Sequence, residues 1–540
     1  MLTQNKSKIY IPSDGIAGLK ENFSKDALSG FLVFLLALPL SLGIAKASDF
    51  PPIFGLVSAI IGGLVVSFFS GSRLTIKGPA AGLIVIASGA VASFGGGEMG
   101  WHLALAAIVV AGLVQIIFGI FKLGSLADFF PSAAIHGMLA AIGIIIMSKQ
   151  IHSLLGIDPK FLKGKEPLEL LMMIPDSIIH ENAHIAEIGI ACILILIGMS
   201  FVKHNKLKKI PAPLIVLAVA IPIGMTLHIK TEGQIAAFSL VKIGSIFDSF
   251  KNGLINANFS GLYSNVGLFI QYVILFSLIG TLESLLTAKA IDGLDPFKRK
   301  SNFNKDVIAV GIGNVISGLL GGLPMISEVA RSSANVANGA RTRWANFFHG
   351  LFLLIAVLFA VPFIELIPNS ALAAMLTFVG FKLAHPKEFI HMWHIGKEQF
   401  LIFTATVITT LATDLLIGVG TGILLEIIFN IYNGCSLKML FSSNLTLTNQ
   451  DEDNYRLTIN SGLVFSNILG FKKVFLTIPS GKNIIIDMTK AKIVDHTSII
   501  TLNSLIHDYK HAHGKINLIG FENHRQLSHA PTSTRILKRN

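Results

Sequence analysis

The sequence is short of charge. Asp, Glu, Lys and Arg make up 14% of its 540 residues, whereas a soluble domain carries about 25%. This deficit excludes an intrinsically disordered protein and an ordinary cytosolic enzyme. The net charge of +12 does not indicate a nucleic-acid binder, because the basic residues lie in short loops between apolar runs rather than on one patch.

Cysteine is also scarce, and no signal peptide is expected. Cys192 and Cys435 are the only two cysteines and lie in or beside apolar segments, so no disulfide is expected. The first apolar run begins near Ala27, too late for a signal peptide, and no small-residue cleavage site interrupts it. No Walker loop or Ser-His-Asp spacing is found, so neither ATP-driven transport nor an enzyme is predicted.

The main feature of the sequence is a series of long hydrophobic runs. Hydrophobic residues make up 52% of the chain, and fourteen apolar runs follow one another from Ser29 to about Tyr432. Most approach the roughly 20 residues that span a bilayer as a helix. Lys and Arg concentrate in the N-terminal segment and in alternate loops, which the positive-inside rule assigns to the cytoplasm. The pattern predicts a multi-pass protein of a bacterial-type inner (cytoplasmic) membrane with both termini cytoplasmic.

The two halves of the apolar region repeat each other. Residues 41–49 and 284–292 are identical at six of nine positions, an offset of 243. Pro79 and Pro324 correspond at an offset of 245, so the third predicted span mirrors the tenth. Seven spans per repeat is an odd number, and the second repeat therefore enters the membrane from the opposite side, as in many secondary transporters.

The third and tenth predicted spans are short, and each begins at a proline, Pro79 or Pro324. Proline suits the first turn of a helix, where its missing N–H costs nothing. Two half-helices that start near the middle of the membrane would direct two positive dipole ends at one place. The small residues Ala80, Ala81 and Gly82 would let a small anion reach the backbone N–H groups. For either break alone, a plain kink is the alternative.

Charged residues inside the apolar runs are a second signal. Arg331 would add positive potential for an anion, or would pair with Glu328 three residues earlier on the same face. Glu283 has Thr287 one turn further on its helix, which suits proton uptake or a Na⁺ site; a polar tie between helices is the alternative. Lys77 is either a counter-charge for these acids or a residue that reaches the interface.

After Tyr432 the composition becomes that of an ordinary soluble domain. Residues 482–487 and 515–520 have the pattern of strands, and 498–509 that of a helix between them. The sequence therefore predicts four regions. These are a cytoplasmic N-terminal segment at 1–27, a transmembrane domain at 28–434 with repeats at about 28–228 and 264–434, a small α/β domain at 451–530 and a basic tail at 531–540.

These stretches resemble the SulP family of inorganic anion transporters. The resemblance is carried by residues 26–52, 75–82, 282–292 and 322–336, while 484–487 and 493–497 resemble a STAS domain. It implies an α-helical polytopic membrane protein of 14 spans, arranged as 7+7 inverted repeats in core and gate domains, with a cytoplasmic STAS-like domain. It further implies a homodimer that works by elevator-type alternating access.

The resemblance also implies residue roles. Substrate would lie between the half-helices, and Glu283 and Thr287 resemble the family's cation-binding pair. The implied substrate residues are Ala80, Ala81, Gly82, Glu328, Val329 and Arg331, and those for the coupling cation are Glu283, Thr287 and Glu328. Thr497 lies near the position that is phosphorylated in related STAS domains, although a helix N-cap is the favoured interpretation. Many members carry a hydroxyl at the place of Ala80 and a small residue at that of Glu328.

The sequence thus predicts a secondary active transporter of a small inorganic anion, sulfate or bicarbonate, coupled to H⁺ or Na⁺. No other cofactor and no structural metal are expected. The expected partners are the anion, the lipid bilayer and a second copy of the chain, with no nucleic acid. Two alternatives stay open: a nucleobase or carboxylate permease of the same fold, and a non-transporting membrane sensor that signals through the STAS-like domain.

Overall fold

A computed structural model of the chain describes residues 11–125, 129–162, 165–202, 210–227, 229, 239–244, 256–511 and 514–538, without the side chains of 508, 510 and 511. Two of the loops between the predicted spans, 203–209 with its four lysines and most of 229–262, therefore lie outside the described residues. The chain divides into two compact units, one that runs to Gly124 and resumes over Gly143–Lys382, and another formed by Ser125–Ile142 and the chain from Leu383 onward.

The first unit consists of packed apolar helices around a two-stranded ribbon. Its close helix contacts use glycine, since a Cβ on Gly63 would overlap the backbone of Gly350 on another helix. The elements are α1 Gly15–Ala47, α2 Pro52–Leu64, α3 Val66–Phe69, β1 Ile76–Pro79, α4 Ile84–Ser93, α5 Gly97–Ile120, α6 Ser132–Leu154 (divided between the units), α7 Pro167–Met172, α8 Ile174–Ile179, α9 Ala183–Phe201, α10 Ala212–Thr226, α11 Gly261–Ser264, α12 Val266–Leu294, α13 Phe303–Leu319, β2 Met325–Glu328, α14 Val329–Ala337, α15 Trp344–Phe359, α16 Val361–Ile364 and α17 Asn369–Leu383.

Many of the helices in the described part of the chain suit a membrane. Seven are long and apolar enough to cross one: Gly15–Ala47, Pro52–Phe69, Gly97–Ile120, Ser132–Leu154, Ala183–Phe201, Val266–Leu294 and Leu415–Tyr432. Shorter apolar helices include Ala81–Ser93 and Trp344–Phe359. The two short spans predicted from the proline breaks are the half-helices α4 and α14, each only about half of a full span.

The segments just before these half-helices form the ribbon. Strands β1 and β2 pair antiparallel, with Pro79 opposite Met325 and Ile76 opposite Glu328. A short 3₁₀ turn, Ala81–Leu83, leads from β1 into α4, while β2 leads directly into α14. A helix broken inside an apolar unit leaves backbone groups without partners, and the ribbon pairs them. The two segments that correspond in the sequence repeat are thus partners in one ribbon.

A buried ion pair ties the ribbon to α13. Lys77 Nζ lies 2.8 Å from Asp306 Oδ2, with the two side chains 0% and 1% exposed. Lys77 also donates to Ser327 Oγ of β2 at 2.6 Å, and Asp306 accepts hydrogen bonds from the Ser70 hydroxyl and the Ser72 N–H. Lys77 therefore pairs with Asp306. The sequence had suggested instead that Lys77 balances one of the glutamates or reaches the interface.

The second unit joins further helices to an α/β region. A four-stranded sheet contains, in spatial order, the strands 445–451, 454–459, 483–487 and 515–519; the first two are antiparallel and the other pairs parallel. The strands 493–494, 535–537 and 524–526 form a smaller sheet in that order. The elements are α18 Pro386–Ile395, α19 Lys397–Ala412, α20 Leu415–Tyr432, α21 Leu437–Phe441, β3 Leu445–Asp451, β4 Asn454–Ile459, α22 Ile468–Phe475, β5 Asn483–Asp487, β6 Ile493–Val494, α23 His496–His511, β7 Lys515–Ile519, β8 His524–Gln526 and β9 Arg535–Leu537.

Parallel strands β5 and β7 with α23 between them match the strand–helix–strand pattern of the sequence. Alternate residues of β5 enter the core, where Ile484 and Ile486 pack with Phe471 of α22 and Leu502 of α23. The predicted fold class, a helical membrane protein with a small α/β region, is confirmed.

Breaking the Lys77–Asp306 pair should destabilise the protein. Lys77→Met leaves a buried carboxylate without its counter-charge, and we expect a loss of about 3–5 kcal/mol, read as a lower Tm of the purified protein in detergent. Adding Asp306→Asn should recover most of it, because the amide is uncharged and still accepts from Ser70 and Ser72. Lys482→Met, which breaks an exposed pair with Asp453, is the control and should leave Tm unchanged. A double variant no more stable than Lys77→Met would contradict this account.

Candidate functional site

Arg331 lies in the first turn of α14, and its side chain reaches the end of β1. Its side chain is 0% exposed, and Nη2 donates to the Pro79 carbonyl oxygen at 3.3 Å. Nε and Nη1 have no hydrogen-bond partner among the described residues. A Cβ on Gly78 would lie 2.6 Å from Nη1, so glycine at this position of β1 leaves room for the guanidinium. Two buried donor nitrogens therefore remain available to an acceptor.

Glu328 caps α14 and partly balances Arg331. Its Oε2 accepts the backbone N–H of Arg331 at 2.6 Å and lies 4.0 Å from Arg331 Nε. The ion pair considered from the sequence is present, but its shortest contact is the helix cap. Glu328 is 18% exposed, so its carboxylate stands on the more open side of the pair. A carboxylate of the chain itself thus already occupies the positive end of α14.

Glu283 of α12 faces the start of the other half-helix. Its side chain is buried, and Oε1 has no hydrogen-bond partner in the described part of the chain. A Cβ on Gly82 would overlap both carboxylate oxygens, so the backbone can approach Glu283 this closely only at a glycine. No side chain caps the turn at Ala80. A carboxylate therefore faces the start of each half-helix.

The remaining candidate residues of the first unit lie around the same ribbon. Thr287 is buried one turn beyond Glu283, and Ser284, next to Glu283, contacts Ser327 of β2 through its hydroxyl at 3.1 Å. Ala80 is buried and Ala81 is partly exposed. Val329 is 53% exposed, so its side chain points away from the packed interior. The structure brings the predicted residues of the first unit together and adds Gly78 to them.

The charges around the ribbon do not balance. Glu283 and Glu328 are close enough for their charges to repel each other, and Arg331 is the cation beside them. Lys77 and Asp306 neutralise one another. With both glutamates ionised, the site therefore carries one more negative charge than positive, which is unfavourable for an anion that arrives alone.

Sequence reasoning missed buried polar residues on neighbouring helices, two of which bond to the backbone of the ribbon. The amide of Asn314 bonds both backbone groups of Met325, at 2.6 and 3.1 Å. Asn346 of α15 accepts the N–H of Lys77 at 3.3 Å, and His349, one turn further, is completely buried. Their one sequence signal is a polar residue within an apolar run, the same signal that singled out Glu283 and Arg331.

Thr497 belongs to the second unit, and the structure corrects its predicted N-cap role. Asp495 Oδ1 accepts the N–H of Ser498 at 2.8 Å, so Asp495 caps α23 from the usual spacing. Burial raises the pKa of Asp495, although the hydrogen bonds that it accepts oppose this rise. Thr497 Oγ1 instead accepts the N–H of Ser132, the first residue of α6, at 3.0 Å. Phosphorylation of Thr497 would require this partly buried contact to open.

Known proteins resemble the chain over nearly its whole length. The bicarbonate transporter BicA of Picosynechococcus sp. is 26% identical over 90% of this chain and 83% of its own. The chloroplastic sulfate transporter 4.1 of Arabidopsis thaliana is 24% identical over 91% and 74%. Among solved structures, the murine anion transporter Slc26a9 in its inward-facing state matches with a TM-score of 0.65 at 17% identity, covering 94% of this chain and 86% of its own.

These relatives are transporters rather than enzymes, and the solved structure confirms the fold. The family model described as the sulfate permease family matches residues 23–406, more than half of the chain. The chain therefore belongs to the sulfate permease family.

Proposed function

We propose that this protein is a secondary transporter that moves a small inorganic anion together with H⁺ or Na⁺. The observation that carries the proposal is Arg331, which starts one half-helix, bonds to Pro79 just before the other, and has two buried donor nitrogens without partners among the described residues. Its relatives include a bicarbonate transporter and a sulfate transporter, which favours an anion over a nucleobase.

The charge around the ribbon explains why a cation should travel with the anion. Two like charges about 4 Å apart repel by about 4 kcal/mol at an effective dielectric constant of about 20. An anion near Arg331 meets this repulsion from Glu283 and Glu328 unless one of them is neutralised. Glu283 is the proposed cation site, because its Oε1 has no partner in the described chain and Thr287 lies one turn away. We favour H⁺, because apolar surroundings disfavour a bare carboxylate.

The wider architecture completes the proposal. The C-terminal α/β region acts as a STAS-like regulatory or assembly domain, and the protein works as a homodimer with elevator-type alternating access, as the family resemblance implies. It lies in a bacterial-type cytoplasmic membrane with both termini cytoplasmic, as the distribution of Lys and Arg favours.

Arg331→Ala should raise the KM for anion uptake at least about tenfold, because a charged hydrogen bond contributes about 1.5–3 kcal/mol. The measurement is uptake of radiolabelled bicarbonate and sulfate into proteoliposomes, with uracil as a nucleobase probe. Arg73→Ala is the control, since Arg73 pairs with Asp14 at a partly exposed site. Unchanged KM in Arg331→Ala would remove Arg331 from the site, and uptake of uracil alone would overturn the proposed anion transport.

Glu283→Gln should abolish the dependence of uptake on the cation gradient, because an amide neither titrates nor carries the charge that a cation needs. Proteoliposomes with imposed pH or Na⁺ gradients would measure it: if H⁺ is used, wild-type uptake rises as external pH falls and survives removal of Na⁺. Glu426→Gln is the control, as Glu426 is also a buried glutamate and accepts from Gln399 in the second unit. A Glu283→Gln protein that follows the same gradient as wild type would show that this carboxylate is structural.

Gly82→Ala should impair uptake, because the new methyl group would overlap the Glu283 carboxylate and displace it from the start of α4. We expect a fall of about tenfold or more in kcat/KM with unchanged membrane insertion. Gly267→Ala is the matched control, because Gly267 lies on the same helix as Glu283 and a Cβ there would have nothing within 4 Å. Equal activity of the two variants would contradict the close approach of Gly82 to Glu283.

A further inference from the structure

We propose that the site selects a singly charged oxyanion that carries its own proton, such as bicarbonate, over a fully deprotonated oxyanion such as sulfate, and that Glu328 makes this selection. The inference rests on the proposed anion transport and names the substrate class of that same site. It follows from the position of Glu328, which places both a negative charge and a hydrogen-bond acceptor on the open side of Arg331.

The balance of charge disfavours a dianion. Once a coupling cation neutralises Glu283, the charges of Arg331 and Glu328 cancel, and Lys77 is already cancelled by Asp306. The site then has no excess positive charge that would stabilise a second negative charge on the ligand. Because Glu328 is the more exposed member of its pair, an incoming anion meets the carboxylate before the guanidinium, and its repulsion doubles for a dianion.

The hydrogen-bonding capacity of Glu328 favours a ligand with an O–H group. Its Oε2 is occupied by the N–H of Arg331, whereas Oε1 receives no donor from the described residues. An ionised carboxylate only accepts hydrogen bonds. Bicarbonate has one O–H that can donate to Oε1, whereas sulfate has acceptor oxygens alone and would leave two acceptors facing each other.

The other polar groups of the site suit the acceptor oxygens of the same ligand. Arg331 Nε and Nη1 are donors without partners among the described residues, and the turn that begins at Ala80 has no side-chain cap. Gly78 lies against Arg331 and Gly82 against Glu283, so the backbone closely approaches a charged group at both positions. The site thus offers donors for the ligand's oxygens and an acceptor for its proton.

Nitrate is the decisive probe, because it has the charge and planar shape of bicarbonate but no O–H. In proteoliposomes, uptake of radiolabelled bicarbonate by the wild-type protein should be inhibited by nitrate and by sulfate with inhibition constants at least about tenfold above the KM for bicarbonate. Nitrate as effective as bicarbonate would overturn the role of the O–H group. Sulfate as effective as bicarbonate would overturn the selection against a dianion.

The variant Glu328→Gln assigns the selection to this residue. Its amide removes the charge and can donate to nitrate or sulfate, so the discrimination against both should fall about tenfold or more, while Glu426→Gln should keep the wild-type ratios. A purely structural role of Glu328 would lower uptake of all anions by one factor and leave these ratios unchanged, which would overturn the proposal. Absence of uptake of every anion by the wild-type protein would instead overturn the proposed function on which this inference rests.

Discussion

The antiparallel pairing of two proline-broken segments is the constraint on which the rest of the site depends. Half-helices that begin inside an apolar unit are tolerated only if other groups pair the freed backbone, and β1 and β2 provide those groups for each other. The ribbon in turn needs support along its outer edges, which Asn314, Asn346 and the Lys77–Asp306 pair supply. Most of these buried polar residues are thus consequences of the break that the two repeats share.

The placement of the two glutamates reconciles an anion site with acidic residues. Two helix starts and a buried arginine together would hold an anion tightly, and conduction or transport requires binding that is also weak enough for release. Glu328 at the start of α14 and Glu283 beside the start of α4 reduce the positive potential at both places. In the proposed transport, neutralising one carboxylate would raise the affinity for the anion, so that binding of the cation and binding of the anion would favour each other as linked equilibria.

Local pattern was sufficient for much of the fold and for part of the site. Apolar runs, the repeat and the prolines marked the helices and both breaks, because each signal lies within a few turns of chain. Glu283 and Arg331 stood out as charges in apolar surroundings. What could not be read was pairing across distance: Asp306 as the partner of Lys77, or Ser132 as the partner of Thr497. The local sequence identified Glu328 as a possible partner of Arg331. Only the structure distinguishes its capping contact with the Arg331 N–H from its longer contact with the guanidinium.

The second unit also contains pairings between residues that are far apart in the sequence. Asp495 accepts from the Phe465 N–H at 2.6 Å and from Asn430 of α20 at 3.3 Å, while Thr497 two residues later accepts from the start of α6. The first turn of α23 therefore bonds directly to two apolar helices, each long enough to span a membrane. An unpaired buried carboxylate is costly. If α23 moves, either α20 moves with it or new donors must bond to the Asp495 carboxylate. The α/β region is thus mechanically continuous with these helices, which is the physical basis on which it could regulate them.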